Sequence, residues 1–193
     1  KASDLVSRLQ KNVLSSRLRR NTMLGVAFLS PPKKLLPLRD LFQQIDTEGL
    51  GYFNREKFWV AYLQLSPSTK RGESDLIFDS MDQNASGTAT FNEFVAATID
   101  ARGQDIKQLN QAYRLLDKDQ KGYINVEDVK MLLSTGIDPS FHDSAGDGSG
   151  TDALTTASNL EELETVMSRR VEERAEQTIR EADMDLDGVV SYK

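Results

Sequence analysis

The sequence predicts an all-α protein with four helix-loop-helix units in two paired lobes, preceded by a basic amphipathic helix. Four polar loops open with an aspartate, at Asp46, Asp82, Asp117 and Asp183. The first aspartates of consecutive loops are separated by 36, 35 and 66 residues, and the last and longest separation leaves room for an insert. Apolar residues at helical spacing flank the loops, and the charged residues among the first 39 are nine Lys or Arg and one Asp.

Composition narrows the class of protein. The chain has 193 residues, a net charge of −6 and no cysteine, which excludes a disulfide framework and a thiolate metal site. It shows no apolar run of membrane-spanning length and no signal peptide, and we expect a cytoplasmic location. Residues 1–39 carry a net charge of +8 and the remainder −14. The two parts could therefore bind one another, or form a solvated basic helix beside an acidic domain.

The first element is predicted to be one basic helix over residues 4–29, ended by Pro31 and Pro32. Its bulky apolar anchors recur at helical spacing, with basic residues between them: Leu5, Leu9, Leu14, Leu18 and Met23. The pattern is typical of a helix that binds in an acidic, apolar groove. A membrane-surface helix, or an ordinary surface helix of a missing domain, would look similar.

The second loop, residues 82–93, has the spacing of a calcium-binding EF-hand. A hard cation takes six to eight oxygens, which such a loop supplies from positions 1, 3, 5, 7, 9 and 12. These positions hold Asp82, Asn84, Ser86, Thr88 through its carbonyl, Thr90 through a water, and Glu93. Gly87 stands at position 6, where the chain turns sharply. With two carboxylates, the loop predicts sensor-range calcium affinity, roughly micromolar.

The first loop, residues 46–57, keeps the turn but not the ligands. Leu50 stands at position 5 and Lys57 at position 12, where a bidentate Glu is needed. We therefore expect no calcium there. Phe53 at position 8 is predicted to pair with Ala89 of the second loop and to hold that loop in shape.

The third loop, residues 117–128, is intermediate. Its suitable ligands are Asp117, Asp119, Tyr123 through its carbonyl, Asn125 and Asp128. Lys121 at position 5 is a poor ligand, and the short Asp128 at position 12 favours magnesium or weak calcium over tight calcium.

The fourth loop begins with a strong ligand series: Asp183, Asp185, Asp187, Val189 through its carbonyl, and Ser191. The sequence ends at Lys193, position 11. A good calcium site is expected if a Glu follows, and weak or no binding without it.

The segment between the third and fourth loops, about residues 134–158, is rich in Gly, Ser, Thr and Asp and is predicted to be a flexible insert. Ser158 and Glu161 form a capping-box pattern that predicts the start of a long helix. Its apolar stripe favours core packing over a coiled coil: Leu160, Leu163, Met167, Val171, Ala175 and Ile179. The expected divisions are 1–32 for the basic helix, 33–102 for the first pair and 103–193 for the second.

The four-unit repeat resembles the calmodulin superfamily. The segment Glu93-Phe94-Val95-Ala96-Ala97-Thr98 resembles the calcium-dependent protein kinases of plants and apicomplexan parasites, and the basic helix occupies the place of their junction, or autoinhibitory, segment. The resemblance implies a Ser/Thr kinase domain upstream, released when the EF-hand region captures the junction helix. The sequence itself has no Gly-rich phosphate loop, no His-Arg-Asp and no Asp-Phe-Gly, so we expect no catalysis by this chain.

The functional hypothesis is a calcium-switched regulatory module whose partners are its own junction helix and an upstream kinase domain, without nucleic-acid or membrane contacts. The alternative is a stand-alone calcium sensor or adaptor whose basic helix binds another protein. A calcium buffer is disfavoured by the incomplete ligand sets of the first and third loops.

Overall fold

The computed structural model describes residues 2–99, 106–134 and 153–191. Its helices are α1 (Ala2–Val13), α2 (Arg17–Leu29), α3 (Pro32–Ile45), α4 (Arg55–Leu65), α5 (Arg71–Met81), α6 (Phe91–Thr98), α7 (Ile106–Leu116), α8 (Val126–Ser134) and α9 (Ala153–Ala182). Four short strands lie in the loops: β1 (Tyr52–Asn54), β2 (Thr88–Thr90), β3 (Tyr123–Ile124) and β4 (Val190–Ser191).

The helix-loop-helix units form two pairs, as predicted. Strands β1 and β2 are antiparallel, with Phe53 opposite Ala89, and β3 and β4 are antiparallel, with Ile124 opposite Val190. These residues stand at position 8 of the four loops, so the strand pairing joins the first loop to the second and the third to the fourth. The predicted calmodulin-like, all-α class with paired EF-hands is confirmed.

The basic segment differs from the prediction, because it forms two helices instead of one. Helix α1 ends at Val13, and Ser16 caps α2 by accepting a hydrogen bond from the N–H of Arg19 at 3.3 Å. Leu14, predicted as an apolar anchor, lies in the break and is 87% exposed. The break has a physical reason, since each helix turns its apolar face to a different cluster of the core.

The first cluster, the aromatic core, contains Leu5 and Leu9 of α1. Its other buried members come from the first two units and include Phe42, Phe53, Phe58, Tyr62, Phe78 and Phe94. The rings of Phe53 and Phe58 stack at 5.9 Å between centroids, and that of Phe94 meets Phe53 edge-on at 6.1 Å. Burial of Leu5 and Leu9 among these residues anchors α1 to the first pair.

The second cluster, the aliphatic core, contains Met23, Leu24 and Val26 of α2. It joins them to residues of the second pair, among which Leu116, Ile124, Val129 and Leu133 are nearly inaccessible. A Cβ added to Gly25 of α2 would lie 3.3 Å from the Cβ of Ala112 in α7, so this glycine permits close contact between the two helices. Helix α6 lies between the clusters, with Val95 and Ala96 in the aliphatic core.

The long helix before the fourth loop begins at Ala153, five residues before the predicted cap at Ser158. Val171, Ala175 and Ile179 are buried in the aliphatic core, which confirms core packing for that part of the predicted stripe. The side chains of Leu160 and Leu163, most of the predicted insert, and Lys193 lie outside what the structure describes. Among the described helices, none has the combined length and hydropathy of a membrane span.

Candidate metal centre

The second loop has a backbone that turns around the carboxylate of Asp82. Gly87 has φ of +86°, a conformation that a side chain would strain. Asp82 ends α5, and its two oxygens accept hydrogen bonds from the N–H groups of Ser86 at 2.9 Å and Gly87 at 2.8 Å. The aspartate at position 1 therefore fixes the turn as well as offering charge to a cation.

Four of the predicted ligands converge around Ser86. The hydroxyl of Ser86 lies 3.0 Å from the carbonyl of Thr88 and 3.4 Å from Asp82 Oδ1. The N–H of Ser86 donates to Asn84 Oδ1 at 3.1 Å. This set of clustered carboxylate, amide, hydroxyl and carbonyl oxygens matches the donors that calcium prefers, so the residues present fit a hard divalent cation.

Glu93, the predicted position-12 ligand, is held by N–H donors of the same loop. Its Oε1 accepts from the N–H of Gln83 at 3.1 Å, and its Oε2 accepts from the N–H of Thr90 at 2.9 Å. The Thr90 hydroxyl in turn accepts from the N–H of Glu93, which completes a capping box at the start of α6. Sequence reasoning missed this box, although Thr90 and Glu93 have the required spacing.

Burial changes the acidity of both carboxyl groups in the second loop. It raises the pKa of Glu93 to about 7, with the nearby charge of Asp82 acting in the same direction against the N–H donors. It also raises the pKa of Asp82, against the N–H groups of Gly87 and Ser86 and the charge of Arg174. Two acids buried close together are electrostatically costly in their ionised forms, and a bound divalent ion would relieve this cost.

This burial predicts a pH dependence of stability in chelator. Folding raises the pKa of Glu93, so protonation of this group stabilises the folded state. This stabilisation is fully present below the ordinary pKa of a glutamate and is lost as pH rises through about 7. Between pH 5 and pH 8 we expect this group to lower the unfolding free energy by roughly 2–3 kcal/mol. Urea unfolding across this range measures how steeply the unfolding free energy falls with pH, and Glu93→Gln should make this dependence shallower. An unchanged slope in the variant would contradict the assignment.

The fourth loop brings three carboxylates together. Asp183, Asp185 and Asp187 each place an oxygen within 4.8 Å of the others. Asp183 Oδ2 accepts from the N–H of Gly188 at 2.8 Å, whereas its Oδ1 is buried without a hydrogen-bond partner among the described residues. The hydrogen bond from the N–H of Gly188 lowers the pKa of Asp183 and so favours its ionised form, and three convergent carboxylates fit a hard cation. Val189 lies in the same loop, where its N–H donates to Asp187 at 3.0 Å.

A lysine side chain of the first loop pairs with an acid of the same loop. The ammonium group of Lys57, at position 12, lies 2.8 Å from a carboxylate oxygen of Glu48 at position 3. Asp46 still accepts from the N–H of Gly51 at 2.8 Å, so the turn is kept. This ion pair supports the prediction that the first loop takes no calcium.

The third loop also contains an ammonium group among its acids. Lys121 Nζ lies 3.1 Å from both oxygens of Asp128 and 3.6 Å from Asp119. The hydrogen bond with Asp128 raises the pKa of Lys121. Asp117 accepts from the N–H groups of Lys121 and Gly122, and Tyr123 continues into β3. The ammonium therefore competes with any ion that these residues would bind.

Replacing Lys121 should convert the third loop into a metal site. We expect Lys121→Ser to raise its calcium affinity by about tenfold to a hundredfold, since the substitution removes a competing charge and supplies a hydroxyl ligand. Calorimetric titration would be done with the second and fourth loops disabled by Asp82→Asn and Asp183→Asn.

The matched control is Lys118→Ser, an equal charge change at an exposed position of the same loop. It should leave the affinity within about twofold, as expected of a screened surface charge. Equal gains from both substitutions would show that net charge alone is responsible.

Comparison with known proteins supports the interpretation of this centre as an EF-hand. The chain is 26% identical over 148 residues to calcium-dependent protein kinase 11 of Oryza sativa subsp. japonica, covering 75% of this chain and 26% of that protein. It is 23% identical over 189 residues to calcium-dependent protein kinase 32 of Arabidopsis thaliana, covering 97% of this chain and 29% of that protein. The chain thus spans less than a third of the length of these kinases.

A second kind of relative is a calcineurin protein. Calcineurin B of Naegleria gruberi is 24% identical over 164 residues, which cover 83% of this chain and 76% of that protein. No protein-family model matches the chain. The resemblance to the calmodulin-like regulatory region of calcium-dependent protein kinases is confirmed, and calcium binding by EF-hands is the property that these similarities imply.

Proposed function

We propose that this chain is a calcium-sensing regulatory module that binds calcium through its second and fourth loops. The observation that carries the proposal is the clustering of oxygen donors around Ser86 in a loop whose two acids are buried. The proposed ligands are Asp82, Asn84, Ser86, Thr88 and Glu93 in the second loop, and Asp183, Asp185, Asp187 and Val189 in the fourth. A bound calcium ion would supply the positive charge that these carboxylates lack.

The first and third loops are proposed to serve as ion-independent partners. Lys57 and Lys121 neutralise acids within these loops. We propose that neither calcium nor magnesium binds to the third loop of the unsubstituted chain, because the ammonium group of Lys121 pairs with Asp119 and Asp128. The residues concerned are Asp117, Asp119, Tyr123 and Asp128. Each pair then combines one loop that can respond to calcium with one that cannot.

The basic segment is proposed to act as the junction helix, and its contacts support this role. Asn12 Nδ2 donates to the hydroxyl and carbonyl oxygens of Ser80, at 3.0 and 3.2 Å. Ser80 lies two residues before Asp82, in the helix that enters the second loop. Arg17 Nε lies 2.8 Å from Glu181, two residues before Asp183 in the helix that enters the fourth loop.

The junction segment thus contacts the last turn of the helix before each proposed calcium loop. A change in the direction of α5 would alter the contact of Asn12 with Ser80. A change in the direction of α9 would alter the contact of Arg17 with Glu181. We propose that this is how the module controls an upstream Ser/Thr kinase domain in cis, by capturing the junction helix and relieving autoinhibition. We propose that the chain itself catalyses no reaction. We also propose that it acts in the cytoplasm.

Hydrogen exchange on the intact chain tests this proposal. We expect calcium to change the exchange rates of α1 and α2 amides by at least about tenfold, as expected for a shift of 1.4 kcal/mol in local opening. The variant with Asp82→Asn and Asp183→Asn should lose the response.

Asp46→Asn, at the equivalent position of the first loop, is the matched control and should keep the response. Calcium binding without any change in α1 or α2 would disprove capture of the junction helix while leaving calcium sensing in place.

The second candidate function is a stand-alone calcium sensor or adaptor whose basic segment binds another protein. The similarity that covers 76% of the calcineurin B relative favours it. The coding sequence upstream of Lys1 separates the two candidates. Kinase motifs there support control in cis, and an initiator Met immediately before Lys1 supports the stand-alone sensor.

A further inference from the structure

Helix α9 makes a direct contact with the second loop, although it belongs to the fourth unit. Arg170 Nη1 donates a hydrogen bond to the carbonyl oxygen of Ala85 at 3.2 Å. Ala85 is position 4 of the second loop and has φ of +56°, a conformation uncommon for a residue with a Cβ. The guanidinium group thus contacts the loop at a residue with an uncommon backbone conformation.

A second contact lies one turn along α9. Arg174 and Thr178 line a cavity of about 10 Å³ together with Gln83, position 2 of the same loop. Gln83 is 8% exposed, and its Oε1 is buried without a hydrogen-bond partner among the residues described. Among the described residues, Arg174 and Thr178 therefore make no hydrogen bond to Gln83 Oε1, and the contact made by Arg170 carries the docking.

The charges at this contact oppose a divalent cation. Arg170 brings a guanidinium group to the second loop, where it donates to Ala85, and Arg174 lines the cavity beside Gln83 of the same loop. Like charges repel at short range, and at an exposed contact such as this one the repulsion is screened by salt. Arg170 and a calcium ion bound in this loop would therefore disfavour each other.

Helix α9 continues from this contact to Ala182 and directly into Asp183, the first ligand of the fourth loop. Arg170 lies on the helix that leads directly into Asp183, so displacement of Arg170 from the second loop would also move the helix that enters the fourth loop. Calcium in the second loop would disfavour the Arg170 contact, and the same helix leads into the fourth loop. The contact can therefore couple calcium binding at the two loops.

We propose that Arg170 docks α9 on the second loop as a competing cation, so that it lowers the calcium affinity of this loop and couples it to the fourth. The inference rests on the proposed calcium binding by both loops. By reciprocity, calcium in the second loop weakens the docking of α9, and the fourth loop responds to that change.

The test is calcium titration by calorimetry in the full chain carrying Asp183→Asn, in which only the second loop remains. Arg170→Ala should raise the calcium affinity of the second loop by about threefold to tenfold. The gain should shrink as salt is raised, because the effect is electrostatic. Arg170 is exposed, so its replacement leaves the core intact.

Arg169→Ala is the matched control. It removes the same charge from the same helix, but Arg169 is 80% exposed and pairs with Glu173 of its own helix. It should change the affinity by less than about twofold. Equal effects of the two substitutions, or weaker binding in Arg170→Ala, would overturn the proposal.

A separate measurement tests the coupling between the second and fourth loops. The calcium affinity of the fourth loop is compared between chains with and without Asp82→Asn, and Arg170→Ala should shrink the difference. If the Asp183→Asn chain binds no calcium, the proposed function fails as well as the coupling. If it binds calcium and Arg170→Ala behaves like Arg169→Ala, the coupling alone fails.

Discussion

Replacing Asp82 by Asn is expected to weaken calcium binding at the second loop by about a hundredfold, the equivalent of roughly 3 kcal/mol for removing one partner of a buried ionic contact. Asp82 is 4% exposed and is one of only two carboxylates in the loop. Its loss leaves Glu93 as the sole anionic ligand. Asn keeps the size of the side chain and one acceptor for the N–H groups of Ser86 and Gly87, so the turn survives better than with Ala.

Calorimetric titration of the wild type and the Asp82→Asn variant measures this loss. Asp46→Asn is the control, because Asp46 holds the same position and accepts the equivalent N–H bond from Gly51. It should leave the calcium isotherm unchanged. An Asp82→Asn isotherm that overlays the wild type would remove the basis for placing calcium in the second loop.

Replacing Phe53 by Ala is expected to lower the unfolding free energy by about 3–5 kcal/mol, the usual range for deleting a buried aromatic ring. Phe53 is 1% exposed and lies within 6.5 Å, centroid to centroid, of the rings of Phe42, Phe58, Phe78 and Phe94. No single neighbour can fill the space it leaves. Phe53 also stands opposite Ala89, so the substitution loosens the strand that supports the second loop.

Urea unfolding in chelator and in calcium measures both effects. The matched control is Val60→Ala in α4, since Val60 is 58% exposed and should change the stability by less than about 0.5 kcal/mol. Calcium affinity should also fall in Phe53→Ala, because the first loop no longer holds β2 firmly. Unchanged stability would mean that the aromatic core does not depend on Phe53.

The parts of the fold that the sequence could predict are local. The spacing from Asp82 to Glu93 and the turn at Gly87 lie within twelve residues, so their pattern is visible without tertiary information. The pairing of Phe53 with Ala89 follows from their shared position 8, and the structure has this register. The loss of ligands in the first loop is equally visible at Lys57.

The break between α1 and α2 could not be predicted from periodicity. The apolar spacing continues through Leu14, and only the presence of two separate cores decides that Leu5 and Met23 face different partners. The contact between Arg170 and Ala85 joins residues 85 positions apart and leaves no local signal. The pair of Lys121 and Asp128 lies within one loop, and opposite charges at positions 5 and 12 would have indicated it.

The ammonium groups of Lys57 and Lys121 bear on how a newly made chain reaches its native state. EF-hands that depend on calcium for their shape fold incompletely when the ion is scarce. Here each pair contains one loop in which a lysine side chain already pairs with an acid of the same loop. We therefore expect the polypeptide to complete its fold at resting calcium, and to avoid the exposed intermediates that quality-control systems remove.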